Sequence, residues 1–200
     1  MSSNSNSLIC TSHLDIDRFT RDDITDRYVS WLNDPEVVQY SEHRHRTHTH
    51  ASCIEYVNTF AHANHLWKIK YRNNCNLHIG NISATIDTNN NIAEISIMLG
   101  DRSAWGKGFG FEAYSGVCSF LFDRMQVRKV WSGTLDCNIP MLKIMDRMSM
   151  RDDGRRIRHY LLNGKETDII FKALYIYDWK QSTTLKSAAA MQLEQVNAFD

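Results

Sequence analysis

Hydrophobic and polar positions change period several times along this chain, and each change marks an element. In "HLDIDRF", Leu14 and Ile16 alternate with Asp15 and Asp17, the period of a half-buried strand. Tyr28, Val29, Trp31 and Leu32 then recur at helical spacing; Asp22 or Asp23 is expected to cap that helix and Asn33-Asp34-Pro35 to end it. A second helix is expected over about 51–63, with Ile54, Val57 and Ala61 on one face. "LWKIKY", "HIGNISATI" and "IAEISIML" read as strands, the last two joined by the turn residues "DTNNN". Past Gly110 the spacing is helical again, through Ala113, Val117, Phe120 and Leu121. "KVWSGTL" predicts a further strand, and Pro140 sits just inside a helix reaching about Arg147. "RRIRHYLL" and "DIIFKALYIY" flank Asn163-Gly164, a strong hairpin signal.

The resulting order is β, α, α, three antiparallel strands, α, β, α and a closing hairpin. It predicts an α/β (α+β) fold: a single mixed, largely antiparallel sheet flanked by helices. No linker or internal repeat divides the chain, so one domain is expected over 8–179. Residues 1–7 and 180–200 are expected as flexible or peripheral tails. The second tail has a composition that suits either a helix or a loose end. Lys plus Arg and Asp plus Glu balance at 23 each, so the basic excess of a nucleic-acid binder is missing. The five cysteines are scattered, without a C-x-x-C pair, and read as reduced thiols of a cytoplasmic protein. No apolar run approaches the roughly 20 residues that span a bilayer, so no membrane partner is expected, and no signal-peptide pattern opens the chain.

The glycine-rich stretch "WGKGFGF", Trp105 to Phe111, lies between a predicted strand and a predicted helix. Glycines there let an anion approach the backbone, and the helix N-terminus offers free N–H groups and a positive dipole end. Neither the dinucleotide-binding fingerprint nor the P-loop pattern is met. "AEISIMLGDRSAWGKGFGFEA" does resemble the acetyl-CoA-binding core of the GCN5-related N-acetyltransferases (GNAT). It is most similar to the branch of ribosomal-protein N-terminal acetyltransferases and amino-sugar N-acetyltransferases. The family loop Q/R-x-x-G-x-G/A maps onto Trp105, Gly106, Lys107, Gly108, Phe109 and Gly110, with Trp105 where Gln or Arg is commonest. "DCNIPMLKIMDRMSM", "YVSWLNDPEV" and "HYLLNGKETDIIF" extend the likeness over about 14–177.

The resemblance implies a GNAT-like fold whose central strands splay beyond the strand ending near Leu99, with acetyl-CoA held there. Met98, Leu99 and Gly100 would supply backbone contacts, the glycine loop would wrap the pyrophosphate, and Asn138 and Lys143 would contact the cofactor. Acetyl transfer needs a base for the acceptor ammonium and donors for the thioester oxygen. Glu94 is the candidate base: it interrupts an apolar strand on the face of Ser96 and Met98, where burial would raise its pKa. The N–H of Met98 or Leu99 is the implied oxyanion donor. Many relatives carry a tyrosine acid seven positions after the asparagine, and here that position is Met145. Ser96 and Tyr160 are weak replacements.

"SEHRHRTHTH", residues 41–50, lacks the H-x₃₋₅-H spacing of a metal helix, and no metal site is expected. It falls where the family rims its acceptor pocket, so Glu42, Arg44 and Arg46 become candidate acceptor-binding residues, with Arg44 and Arg46 suited to an anionic acceptor. The resulting expectation is direct transfer to the primary amine of a small molecule, a nucleotide-linked amino sugar. The alternatives are a protein N-terminal acetyltransferase and a non-catalytic acyl-CoA-binding regulator. A homodimer is expected only by analogy with the family.

Overall fold

The computed structural model describes residues 9–60 and 64–182; Leu8, Ala61 and most of both predicted tails lie outside them. The alternating stretches fold as strands of one sheet. Strands β1 (Ile9–Cys10), β2 (Leu14–Arg18), β3 (His65–Tyr71), β4 (Leu77–Asp87) and β5 (Ile92–Leu99) form an antiparallel meander. Across the sheet follow β6 (Lys129–Leu135) and then the hairpin of β7 (Arg151–Leu162) and β8 (Lys165–Tyr175), with β8 against β6. Asn163 and Gly164 have φ of 52° and 76°, the left-handed pair that a tight hairpin turn requires. Among the described residues β5–β6 is the one parallel pair, and it is short: Ile92 with Lys129, Ala93 with Val130, Glu94 with Trp131.

The period of two in β5 sorts its side chains between two cores. Ala93 and Ile95 pack against helix α4 (Phe109–Ser119), whose Ala113, Val117 and Cys118 are fully buried. Met98 points the other way, into a smaller core of Phe19, Tyr28, Trp31, Leu32, Cys53 and Leu66. Helices α1 (Asp26–Leu32), α2 (Pro35–Val38) and α3 (His50–Asn58) build that second layer. Helix α5 (Ile139–Arg147) sends Met141 and Met145 into the first core, and α6 (Ile176–Gln181) closes the same core with Trp179.

Some local expectations need correction. Thr25, not Asp22 or Asp23, caps α1 by accepting from the Tyr28 N–H at 3.2 Å. Asp23 is already committed to Thr20 in a capping box and to Lys68 at 2.6 Å. Helix α3 ends at Asn58 and turns Cys53 inward, leaving Ile54 37% exposed. Helix α6 runs from Ile176 through Gln181. All five cysteines are free thiols, and among the described residues no helix is long and apolar enough to cross a membrane.

His78 is locked into the seam between the sheet and the second core. Its ring packs edge-on to Trp31 at 4.9 Å and near Tyr28 and Phe19. Its Nε2 donates to the Gly80 carbonyl at 3.0 Å and lies 3.2 Å from Asn81 Oδ1. Both partners only accept, so Nε2 carries a proton. Burial pulls its pKa from 6.5 down to about 4. Between those values the unfolded chain binds a proton that the folded chain refuses. His78 therefore supports the fold fully above pH 6.5, and that support fades as pH falls toward 4, by roughly 1.4 kcal/mol per unit. Replacing it with a non-titrating donor, His78→Gln, should flatten the loss of unfolding free energy between pH 6.5 and 4.5 in urea titrations. An acid limb as steep as the wild type's would contradict this placement.

Candidate active site

Beyond Glu94 and Trp131 the two central strands part. β5 continues alongside β4, with Ser96 opposite Ser83 and Met98 opposite Asn81, while β6 follows β8 from Ser132 to Leu135. A cavity of about 830 Å³ opens in the fork. Ser96, Met98 and Leu99 form one wall, Gly133 and Thr134 of β6 the other, and Met141 and Ile144 of α5 the floor. Tyr28, Tyr40, Tyr56 and His43 close it on the side of the second core.

The chain leaving β5 is pinned at three points. The Trp105 indole N–H donates to the Leu99 carbonyl at 2.8 Å. Arg27 pairs with Asp101 at 2.6 Å. Gly100 lies flat under Trp31: a Cβ there would stand 2.0 Å from the indole ring. Gly106 and Gly108 then adopt left-handed φ of 73° and 83°, with open space where a side chain would be. Gly108 is also the N-cap of α4 and offers no side-chain cap, which leaves the first-turn N–H groups facing the cavity mouth. Gly110 allows close approach to α5, its Cβ position being 3.1 Å from Ile144 Cδ1. Lys143 and Arg147 of α5 border this cradle, the Arg147 guanidinium lying 3.8 Å over the Phe111 ring. Free amides, a helix dipole and nearby cations are a donor set that could hold a phosphate group.

A family model for the acetyltransferase (GNAT) domain matches residues 13–151. The chain belongs to the GNAT acetyltransferase family. Among curated proteins, the uncharacterized N-acetyltransferase p20 of Bacillus licheniformis is 28% identical over 89 residues, 44% of this chain and 49% of that protein. The match thus spans about half the length of that relative. Among solved structures, a GNAT acetyltransferase of Bacillus anthracis superposes with a TM-score of 0.71 at 18% identity, covering 85% of this chain and 99% of that one. Spermidine N-acetyltransferase of Vibrio cholerae, solved with CoA and spermine, gives 0.75 at 16% identity over 86% and 100% of the two chains. At such identities the superpositions establish the GNAT fold.

Within this GNAT domain the expected site residues separate. Ser96, Met98, Leu99, Trp105, Gly106, Gly108, Gly110, Asn138 and Lys143 all line the cavity. Gly100 packs under Trp31 and is absent from the lining, and Lys107 is exposed beside the cradle rather than on its wall. Phe109 is a core residue, its ring tilted against that of Tyr71 at 4.8 Å. Asn138 caps α5 through the Met141 N–H at 3.3 Å and donates to Thr134 Oγ1 at 2.9 Å. Glu94 sits at the last paired position, at the apex of the fork rather than on the cavity wall, and burial raises its carboxyl pKa.

Glu42, Arg44 and Arg46 lie outside the lining. Arg44 is a strut: it bonds Glu42 at 3.0 Å, the Ser41 carbonyl at 2.9 Å and the Leu161 carbonyl at 3.4 Å. Met145 is fully buried in the first core, so its position does not face the cavity. Tyr160 on β7 is likewise absent from the lining. Of the histidine run, His43 reaches the wall, its ring edge-on to His48 and Tyr56, and burial lowers its pKa. Among the described residues no His, Cys, Asp or Glu group is arranged to hold a metal.

Gly100→Ala should cost about 1–3 kcal/mol of overpacking, and Gly106→Ala about 1–2 kcal/mol of left-handed strain. Denaturant midpoints read both losses. An unchanged midpoint for Gly100→Ala would contradict the Trp31 contact.

Proposed function

We propose that this chain is an acetyl-CoA-dependent N-acetyltransferase that acetylates the primary amine of a small, hydroxyl-rich acceptor, an amino sugar. The observation that carries this reading is the unpaired edge of β5, which lines the cavity and runs directly into the glycine cradle. When bound, acetyl-CoA supplies an acetyl group already activated as a thioester. Amides of the Gly106–Gly110 loop hold the pyrophosphate, with Lys143 and Arg147 adding charge. Backbone groups of Ser96–Leu99 pair with the amide-bearing arm as they would with a strand. The N–H of Met98 or Leu99 donates to the carbonyl oxygen as negative charge grows there.

Glu94 takes the ammonium proton through water, since its side chain shares the face of Ser96 but stands deeper in the fork. Met145 cannot donate a proton, so water protonates the departing thiolate. Transfer is direct, because among the described residues no cysteine sits in a nucleophile arrangement.

Charge on the acceptor side favours a monoamine. Among the described residues Glu36 is the one carboxylate of the lining, and Arg102 already neutralises it at 2.5 Å. A polyamine would keep several cations without partners there. Arg44 is committed to its own segment, which leaves a nucleotide diphosphate without that clamp. The neutral donors and acceptors, Tyr40, Gln39, Ser41 and Ser83, suit sugar hydroxyls.

Thiol release from acetyl-CoA should therefore appear with free amino sugars, ahead of spermidine or peptides with free N-termini. Turnover with peptides alone would move the chain to protein N-terminal acetylation. Silence across the panel with CoA bound would favour a binding regulator. Glu94→Gln should lower kcat by about 10²–10⁴-fold with CoA affinity retained. In the wild type kcat should rise with pH through the elevated Glu94 pKa, because only the ionised carboxylate accepts a proton. That limb should vanish in the Gln variant.

A further inference from the structure

We infer that the Ser132 hydroxyl, oriented by Tyr114, sets the width of the fork and thereby positions the β5 edge for the acyl donor. The inference rests on the reading of the cavity as an acetyl-CoA site. The next pair after Glu94–Trp131 would join Ile95 to Ser132, but the backbone ladder stops one step short. In its place Ser132 Oγ donates to the Ile95 carbonyl at 2.6 Å. That bond uses the single hydroxyl proton of Ser132. The 2.8 Å contact between Tyr114 Oη and Ser132 Oγ must then have Tyr114 as donor. The order is Tyr114 O–H to Ser132 O–H to Ile95 C=O, with Met150 Sδ 3.7 Å from the phenol.

Tyr114 is 0% and Ser132 1% exposed, so water does not compete. Burial lifts the Tyr114 pKa far above its usual value and keeps it a donor.

Two consequences follow from a side chain standing where a backbone bond would be. The first carbonyl released by the fork is satisfied inside the protein, by the buried Ser132 hydroxyl. The strands are also held apart by a side chain, so pairing cannot propagate from Glu94 toward Leu99. β6 cannot swing away instead, since Gly133 and Thr134 stay registered with Phe171 and Ile170 of β8. Without the hydroxyl, the Ile95 carbonyl and the Tyr114 phenol both lose a partner. Closure of the fork by one more pair, or entry of a water, would restore a partner and shift the edge that lines the cavity.

The test compares wild type, Ser132→Ala and Ser132→Thr by calorimetric titration with CoA and by steady-state kinetics against the best amine found. Ser132→Ala should weaken CoA binding by about tenfold or more, equivalent to about 1.4 kcal/mol, and lower kcat, while the amine KM stays within about twofold. Ser132→Thr keeps the hydroxyl and should bind CoA within about threefold of wild type. If the alanine variant does not fold, Ser132→Cys, similar in size and a weak donor, takes its place with the same expected loss. A lowered melting temperature with unchanged CoA affinity and kcat would show a purely structural role and overturn the inference. Wild type that fails to bind CoA would overturn the reading of the site and the inference with it. Binding by wild type and equally by Ser132→Ala would overturn the inference alone.

Discussion

Backbone N–H and C=O groups inside a protein need partners, and the site exists because one sheet declines to supply them. β5 and β6 share three pairs and then separate, each held by its outer neighbour, β4 or β8. Past the Ile95 carbonyl, which Ser132 takes, the edge of β5 turned away from β4 faces a cavity instead of a strand. The surrounding structure keeps that opening from closing or drifting. Trp31 clamps Gly100 at the end of β5, Trp105 bonds the Leu99 carbonyl, and Asn138 starts α5 beneath the gap while tying it to Thr134. The two cores meet on opposite faces of β5, so neither helical layer can shift without moving the edge that lines the cavity.

Charge divides the cavity in a way that matches two ligand ends. Lys143, Arg147 and the amino end of α4 gather at the cradle, where a pyrophosphate would bring negative charge. The opposite wall is neutral, since Glu36 is spent on Arg102 and the Arg44 guanidinium on Glu42 and two carbonyls. His78 in the same seam is held uncharged by burial. On the proposed reading, an acceptor on that wall would be recognised by hydrogen bonds and shape, with its amine the one cation brought in.

Most of the fold was legible because its signals are local. The period of two in β2 to β5, the helical spacing after Gly110 and the Asn163-Gly164 turn each act within a few residues. The glycine cradle was legible for the same reason, since positive φ and a bare helix start need glycine at Gly106 and Gly108. What failed was decided by competition or by distance. Asp23 could not cap α1 because Thr20 and Lys68 had taken it, and Cys53 displaced Ile54 from the core of a short helix with little apolar asymmetry. Arg44 looked free in sequence because its partner carbonyl at Leu161 lies 117 positions away. Tyr40, Tyr56 and Glu36 went unnoticed because cavity walls and ordinary packing use the same side chains at the same spacing. The stopping point of the β5–β6 ladder leaves no mark in either strand alone.

Backbone hydrogen exchange of β5, with and without CoA, tests the central claim most directly. The account predicts that amides between Ile95 and Leu99 pointing away from β4 exchange quickly in the free protein and become protected when CoA is added. Amides of Ile92, Ala93 and Glu94 should be protected in both states. Fast exchange that CoA leaves unchanged, or protection of the whole strand before CoA is added, would contradict a fork whose open edge receives the ligand.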